Sequence, residues 1–164
     1  IQGFTQGVQP IISYNFGARK FDRVKKTYRL TISFTFAVAT VFCLLTVFFP
    51  GVFAGIFTSD QELLALVKKV MPIFMAGIAV FGIQMGCQTT FMGLGQAKIS
   101  LFIALLRKVI LLIPLALILP KFFGVMGIYY AEPISDVTAA TTAFIIFLSV
   151  RGKIVSEEAL SKLG

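Results

Sequence analysis

The sequence has no histidine and no tryptophan, and only two cysteines in 164 residues. The missing histidine removes the commonest metal ligand and general base. Cys43 and Cys87 lie inside apolar segments without a neighbouring His or Cys, so they form neither a zinc pattern nor a disulfide framework. No nucleophile–base pairing is visible, and an enzyme is not expected. Charge is also scarce, at 13% of residues, where a soluble domain carries ~25%. Acids are the scarcer sign: seven Asp and Glu stand against fifteen Lys and Arg, for a net charge of +8. Neither an initiator Met nor the basic n-region of a signal peptide precedes Ile1. The chain starts inside an apolar pattern and reads as a piece of a longer protein, cut at its N-terminal side.

What is abundant is apolar: 57% of residues are hydrophobic and the mean hydropathy is +0.92. This composition predicts an all-α integral membrane protein with the lipid bilayer as its main partner. The cations sit between long apolar runs and carry no nucleic-acid-binding signature, so positive flanks of membrane helices explain them and no nucleic acid is implied.

The stretch Gly3–Arg29 organises the rest. Arg19, Lys20, Arg23, Lys25, Lys26 and Arg29 crowd together with Asp22 as their only acid, and the 20 residues Leu30 to Phe49 then pass without a charge. At ~1.5 Å per residue, ~20 such residues cross a ~30 Å hydrocarbon core. The pattern predicts about five spans, at 1–16, 30–49, 70–92, 99–120 and 132–150, and a polar cytoplasmic tail at 151–164.

Several residues inside these spans carry candidate chemistry. In the first, Gln2, Gln6 and Gln9 recur at helical spacing, where amides either lock helices together or line a polar cavity, and Gly3 and Gly7 form a close-packing pair. Ser59–Asp60–Gln61–Glu62 reads as a capping box that starts an amphipathic helix leading to the third span. Pro72 is a candidate bend at its entry. Gln84 and Gln88 share a face with Phe81, Met85 and Thr89 nearby, and Gly82 and Gly86 stand four apart. Such a face either suits organic molecules of varied shape or holds helices together. Gly93–Lys98 is a short turn and lacks the spacing of a nucleotide loop. In the fourth span Arg107 and Lys108 either snorkel to a boundary or face a cavity or partner, and Pro114 is a second candidate hinge. Glu132 and Asp136, four apart at the start of the last span, are explained by the helix dipole or by cation binding and gating; the dipole is the favoured account for Glu132.

Lys and Arg counts set the topology. The loop 17–29, the 93–108 region and the tail together hold twelve of these residues, and the opposite side holds only Lys68, Lys69 and Lys121. The positive-inside rule then puts the basic loop and the C-terminus in the cytoplasm.

Four stretches carry a resemblance. Gly7-Val-Gln-Pro-Ile-Ile-Ser-Tyr-Asn-Phe-Gly-Ala with Arg23-Val-Lys-Lys resembles the end of helix eight and the next loop of the multidrug and toxic compound extrusion (MATE) family. Phe91-Met-Gly-Leu-Gly-Gln-Ala-Lys is similar to the end of its helix ten. Leu106-Arg-Lys-Val-Ile with Pro114 is similar to helix eleven, and Gly124 through Asp136 to the entry of helix twelve. The resemblance implies part of the second six-helix lobe of a twelve-helix transporter in the plasma membrane. The missing N-terminal lobe would be its partner, and small organic, often cationic, compounds its substrates. No cofactor is implied, only a coupling ion, H⁺ or Na⁺, exchanged by alternating access. One branch of the family carries a coupling acid in helix ten, and here no acid occurs between Glu62 and Glu132. The coupling site is therefore expected elsewhere unless Asp136 takes part. Two rivals remain: a flippase for a lipid-linked oligosaccharide, and a membrane scaffold without transport.

Overall fold

The structure, a computed structural model, describes residues 1–57 and 60–161. All regular structure among them is helical. In hydrocarbon every backbone N–H and C=O must find a partner inside the chain, and an apolar run achieves this within one helix. The helices are α1 (Gln2–Gly17), α2 (Phe21–Phe48), α3 (Pro50–Phe57), α4 (Gln61–Met75), α5 (Ile78–Gly93), α6 (Ala97–Leu105), α7 (Ile113–Phe123) and α8 (Met126–Ser161). A wide π-helical stretch, Leu106–Leu112, joins α6 to α7. Among the described residues, three helical runs are long and apolar enough to cross a membrane: Phe21–Phe48, Ala97–Phe123 and Met126–Gly152. The pair α4 and α5 makes a fourth if its 40° bend is counted as one broken span. The expected first span corresponds to α1, a 16-residue helix.

Several expectations change. Helix α2 begins at Phe21, so Arg23 to Arg29 ride on its first three turns and the loop shrinks to Ala18–Lys20. Arg19 takes up the reversal with φ at 53°. Helix α8 begins at Met126, which puts Glu132 and Asp136 in its second and third turns. The helix dipole acts within the first turn, so it does not account for either acid. Ser59 of the expected capping box lies outside the described residues. Asp60 is the cap of α4, its carboxylate accepting from the Glu62 and Leu63 amides at 2.9 and 3.5 Å. Pro72 lies within α4, and the bend falls beyond it, at Ala76–Gly77. Pro114 sits just after the π-helical stretch, in which the Ile113 amide reaches back to the Lys108 carbonyl. A proline ring collides with the carbonyl four residues back. The widened turn relieves that collision, and the helix continues.

Helix α5 packs between α1, α2 and α8. Gly82 and Gly86 let α2 come close: a Cβ at Gly82 would stand 2.5 Å from the Thr35 carbonyl oxygen, and one at Gly86 2.8 Å from Ile32 Cα. The expected pair Gly3 and Gly7 is not used this way, since a Cβ at either meets nothing within 4 Å. Ile12, Val24, Tyr28, Cys87, Phe91, Ile103 and Phe147 fill the core beside this contact. The buried hydroxyls of Thr35, Thr46 and Thr90 donate to carbonyls one turn back in their own helices, at 2.9 to 3.0 Å, which removes the penalty for a polar group away from water. Gly86→Val should push α2 and α5 apart and lower the unfolding free energy by about 1–3 kcal/mol. Gly7→Ala, which meets open space in a helix interior, should not lower it. Thermal unfolding in detergent, comparing the two variants, checks both.

Candidate functional site

The expected site residues gather at two polar places. The first is a cluster of four charges. Arg107 lies in the π-helical stretch, where the wider turn reduces the angle between successive residues, so that Arg107 and Lys108 both reach α8. The Arg107 Nε donates to Asp136 Oδ1 at 2.5 Å and its Nη2 to Glu132 Oε1 at 3.1 Å. Lys108 Nζ stands 3.8 Å from the same Glu132 oxygen. The guanidinium also lies 4.3 Å over the Phe81 ring, a favourable cation–π contact. The Asp136 side chain is 2% exposed, Arg107 14% and Glu132 19%, and Lys108 reaches outward at 57%. Gly77, at the α4–α5 break, abuts Asp136: a Cβ there would stand 2.8 Å from Asp136 Oδ2. The cluster holds two cations and two anions and is neutral by count. Glu132 and Asp136 are thus brought together, and both are already matched by fixed cations.

This geometry also revises the charge topology. Arg107 and Lys108 lie ten and eleven residues beyond the start of the Ala97–Phe123 run and pair with acids, so neither marks a cytoplasmic loop. The sequence offered one signal for this arrangement: strong charges of both signs stand inside apolar runs, which is tolerated only when they face each other or water.

The second place is a groove of about 280 Å³ between α1 and α5. Thr5, Gln6 and Gln9 line one wall, and Met85, Gln88 and Thr89 the other. The Gln88 Nε2 donates to the Ser100 carbonyl at 3.1 Å, tying α5 to α6, and the Thr89 hydroxyl donates to the Met85 carbonyl at 2.8 Å. The expected cavity residues therefore divide. Gln6, Gln9, Met85, Gln88 and Thr89 meet at one surface. Phe81 instead lies beneath Arg107. Gln84 is 2% exposed and outside the groove, its Oε1 buried without a hydrogen-bond partner. Thr5 is an unexpected lining residue, although it stands three positions from Gln2 and four from Gln9, a spacing that puts it on their face.

The MatE family model matches residues 1–118, which takes in both walls of the groove, Arg107 and Lys108. The chain belongs to the MATE family. The multidrug export protein MepA of Staphylococcus aureus strain N315 is 29% identical over 155 residues, which is 94% of this chain and 34% of that protein. Among solved structures, the MATE multidrug transporter DinF-BH is 31% identical, with a TM-score of 0.85 over 92% of this chain and 34% of its own. The Vibrio cholerae MATE transporter VcmN in its bent form shares the fold, at 21% identity and a TM-score of 0.79 over 95% of this chain and 35% of its own. The chain thus spans about a third of the length of the relatives it matches.

Arg107→Met should strand the buried Asp136 carboxylate and leave Glu132 only its longer contact with Lys108, lowering the unfolding free energy by about 3–5 kcal/mol. Adding Glu132→Gln and Asp136→Leu should restore most of that loss. Chemical denaturation in mixed micelles checks both, and an unchanged single variant would show that the four charges contribute nothing to the packing.

Proposed function

We propose that this chain forms the end of helix eight through helix twelve of a MATE-type transporter, which exports organic compounds, often cationic, in exchange for H⁺ or Na⁺ by alternating access. The observation that carries this reading is the groove between α1 and α5. Its amides, hydroxyls and the Met85 thioether give directional contacts and adaptable apolar surface together, the mixture that accepts ligands of varied shape. In this reading the groove is part of the wall of a larger cavity completed by the other lobe.

The coupling cation acts by unequal affinity for the inward- and outward-facing states. Glu132 and Asp136 are matched by Arg107 and Lys108, so an added cation there meets two fixed positive charges. Carboxylates of the other lobe are the better place for it. The same pairing argues against a flippase for a pyrophosphate-linked oligosaccharide, because the cations that such a cavity needs already hold acids. An open groove argues against a scaffold. With Arg107 and Lys108 set aside, ten Lys and Arg still fall on the side of the basic segment and tail, against three opposite. We place the transporter in the plasma membrane, and that bias supports a C-terminus in the cytoplasm.

In the complete transporter, Gln6→Ala, Gln9→Ala and Thr89→Ala should each change efflux of some substrates relative to others by about fivefold, the scale of one hydrogen bond. Gln84→Ala should alter the amount of folded protein and not the substrate profile. Efflux of a panel of organic cations from vesicles, under imposed H⁺ or Na⁺ gradients, measures the profile and the coupling ion together. A uniform fall for every substrate in the three groove variants would mean that these residues only hold helices together.

A further inference from the structure

A groove of about 650 Å³ runs along α2 and is lined by Asp22, Lys25, Lys26, Arg29, Leu30 and Ser33. These positions recur every three or four residues and so share one helix face. The opposite face, with Val24, Tyr28 and Thr31, is buried in the fold. Within the groove, Lys25 stands 3.9 Å from Asp22, which leaves the surplus positive charge on Lys26 and Arg29, both exposed. Arg23, Lys25, Lys26 and Arg29 crowd the first three turns of α2, with Asp22 as the one acid among them. An anion held there would offset that crowding. Directly beyond Arg29 the surface turns apolar, with Leu30 66% and Phe34 46% exposed. The groove therefore straddles the boundary between cationic and hydrocarbon-compatible surface on a 28-residue helix able to cross a membrane.

We propose that this face of α2 docks an anionic glycerophospholipid. Its phosphate lies between Lys26 and Arg29, the Ser33 hydroxyl stands one turn deeper, and one acyl chain follows Leu30 and Phe34. A phosphate alone satisfies the charges but leaves the apolar half of the groove uncovered, and a neutral lipid does the reverse. The two chemistries in one groove select a molecule that carries both.

The test uses the complete protein that carries this chain, purified in detergent, stripped of lipid and titrated with phosphatidylglycerol, phosphatidylcholine or inorganic phosphate. Bound molecules are counted by native mass spectrometry. Phosphatidylglycerol should bind in preference to both other probes. Lys26→Gln with Arg29→Gln should weaken it about thirtyfold, the factor expected for two interfacial cations. Lys26→Arg with Arg29→Lys should preserve it. Ser33→Trp, which fills the groove without changing its charge, should weaken it as well, so the site is testable even if the double charge variant misfolds. Equal binding of phosphatidylcholine, or displacement of the lipid by phosphate at matching concentration, would overturn the proposal. So would unchanged lipid binding in both the charge and Ser33 variants, which would assign this face to another segment of the transporter.

Discussion

Arg107 stands inside a 27-residue helical run apolar enough to cross a membrane, and a guanidinium there must have counter-charges or reach water. Much of the local architecture answers that demand. Helix α8 presents Glu132 and Asp136 one turn apart. The π-helical stretch lets Arg107 and Lys108 reach them together. Phe81 supplies an aromatic face beneath the guanidinium. Gly77 leaves room for the Asp136 carboxylate at the α4–α5 break. Through one side chain, three membrane-compatible segments are held in register.

Helix α5 carries this arrangement to the rest of the fold. In 16 residues it divides its surface among several neighbours. Gly82 and Gly86 admit the α2 backbone. Phe81 lies under the charge cluster. Gln88 bonds the α6 backbone, while Met85 and Thr89 open toward α1 and the groove. The periodicity of a helix makes this division possible: residues three or four apart share a face, and residues one or two apart do not. A helix so used on every side explains why its few polar residues differ in role despite lying within two turns of one another.

The two polar places also differ in what they can do. The charge cluster is balanced and mostly enclosed, which suits fixed geometry. The groove is open, and its donors and acceptors are neutral, which suits transient contact with varied molecules. The proposed transporter thus keeps its strong electrostatics in a structural role in this part of the chain and presents weaker, adaptable groups to the ligand.

The sequence by itself determined the class of the protein, because long uncharged runs leave a helix as the backbone's only way to satisfy its polar groups in lipid. It also determined the family, through local stretches such as Gly7–Ala18 that are read without knowing their contacts. Helix spacing alone put Gln84 and Gln88 on one face. Only the tertiary structure showed that Gln84 is shut into the packing while Gln88 reaches the groove, because burial depends on which neighbour covers each face. It likewise decided that Glu132 and Asp136 answer Arg107 and not a helix dipole. That pairing joins positions 25 and 29 residues apart, and no local periodicity encodes which side chains two antiparallel helices bring face to face.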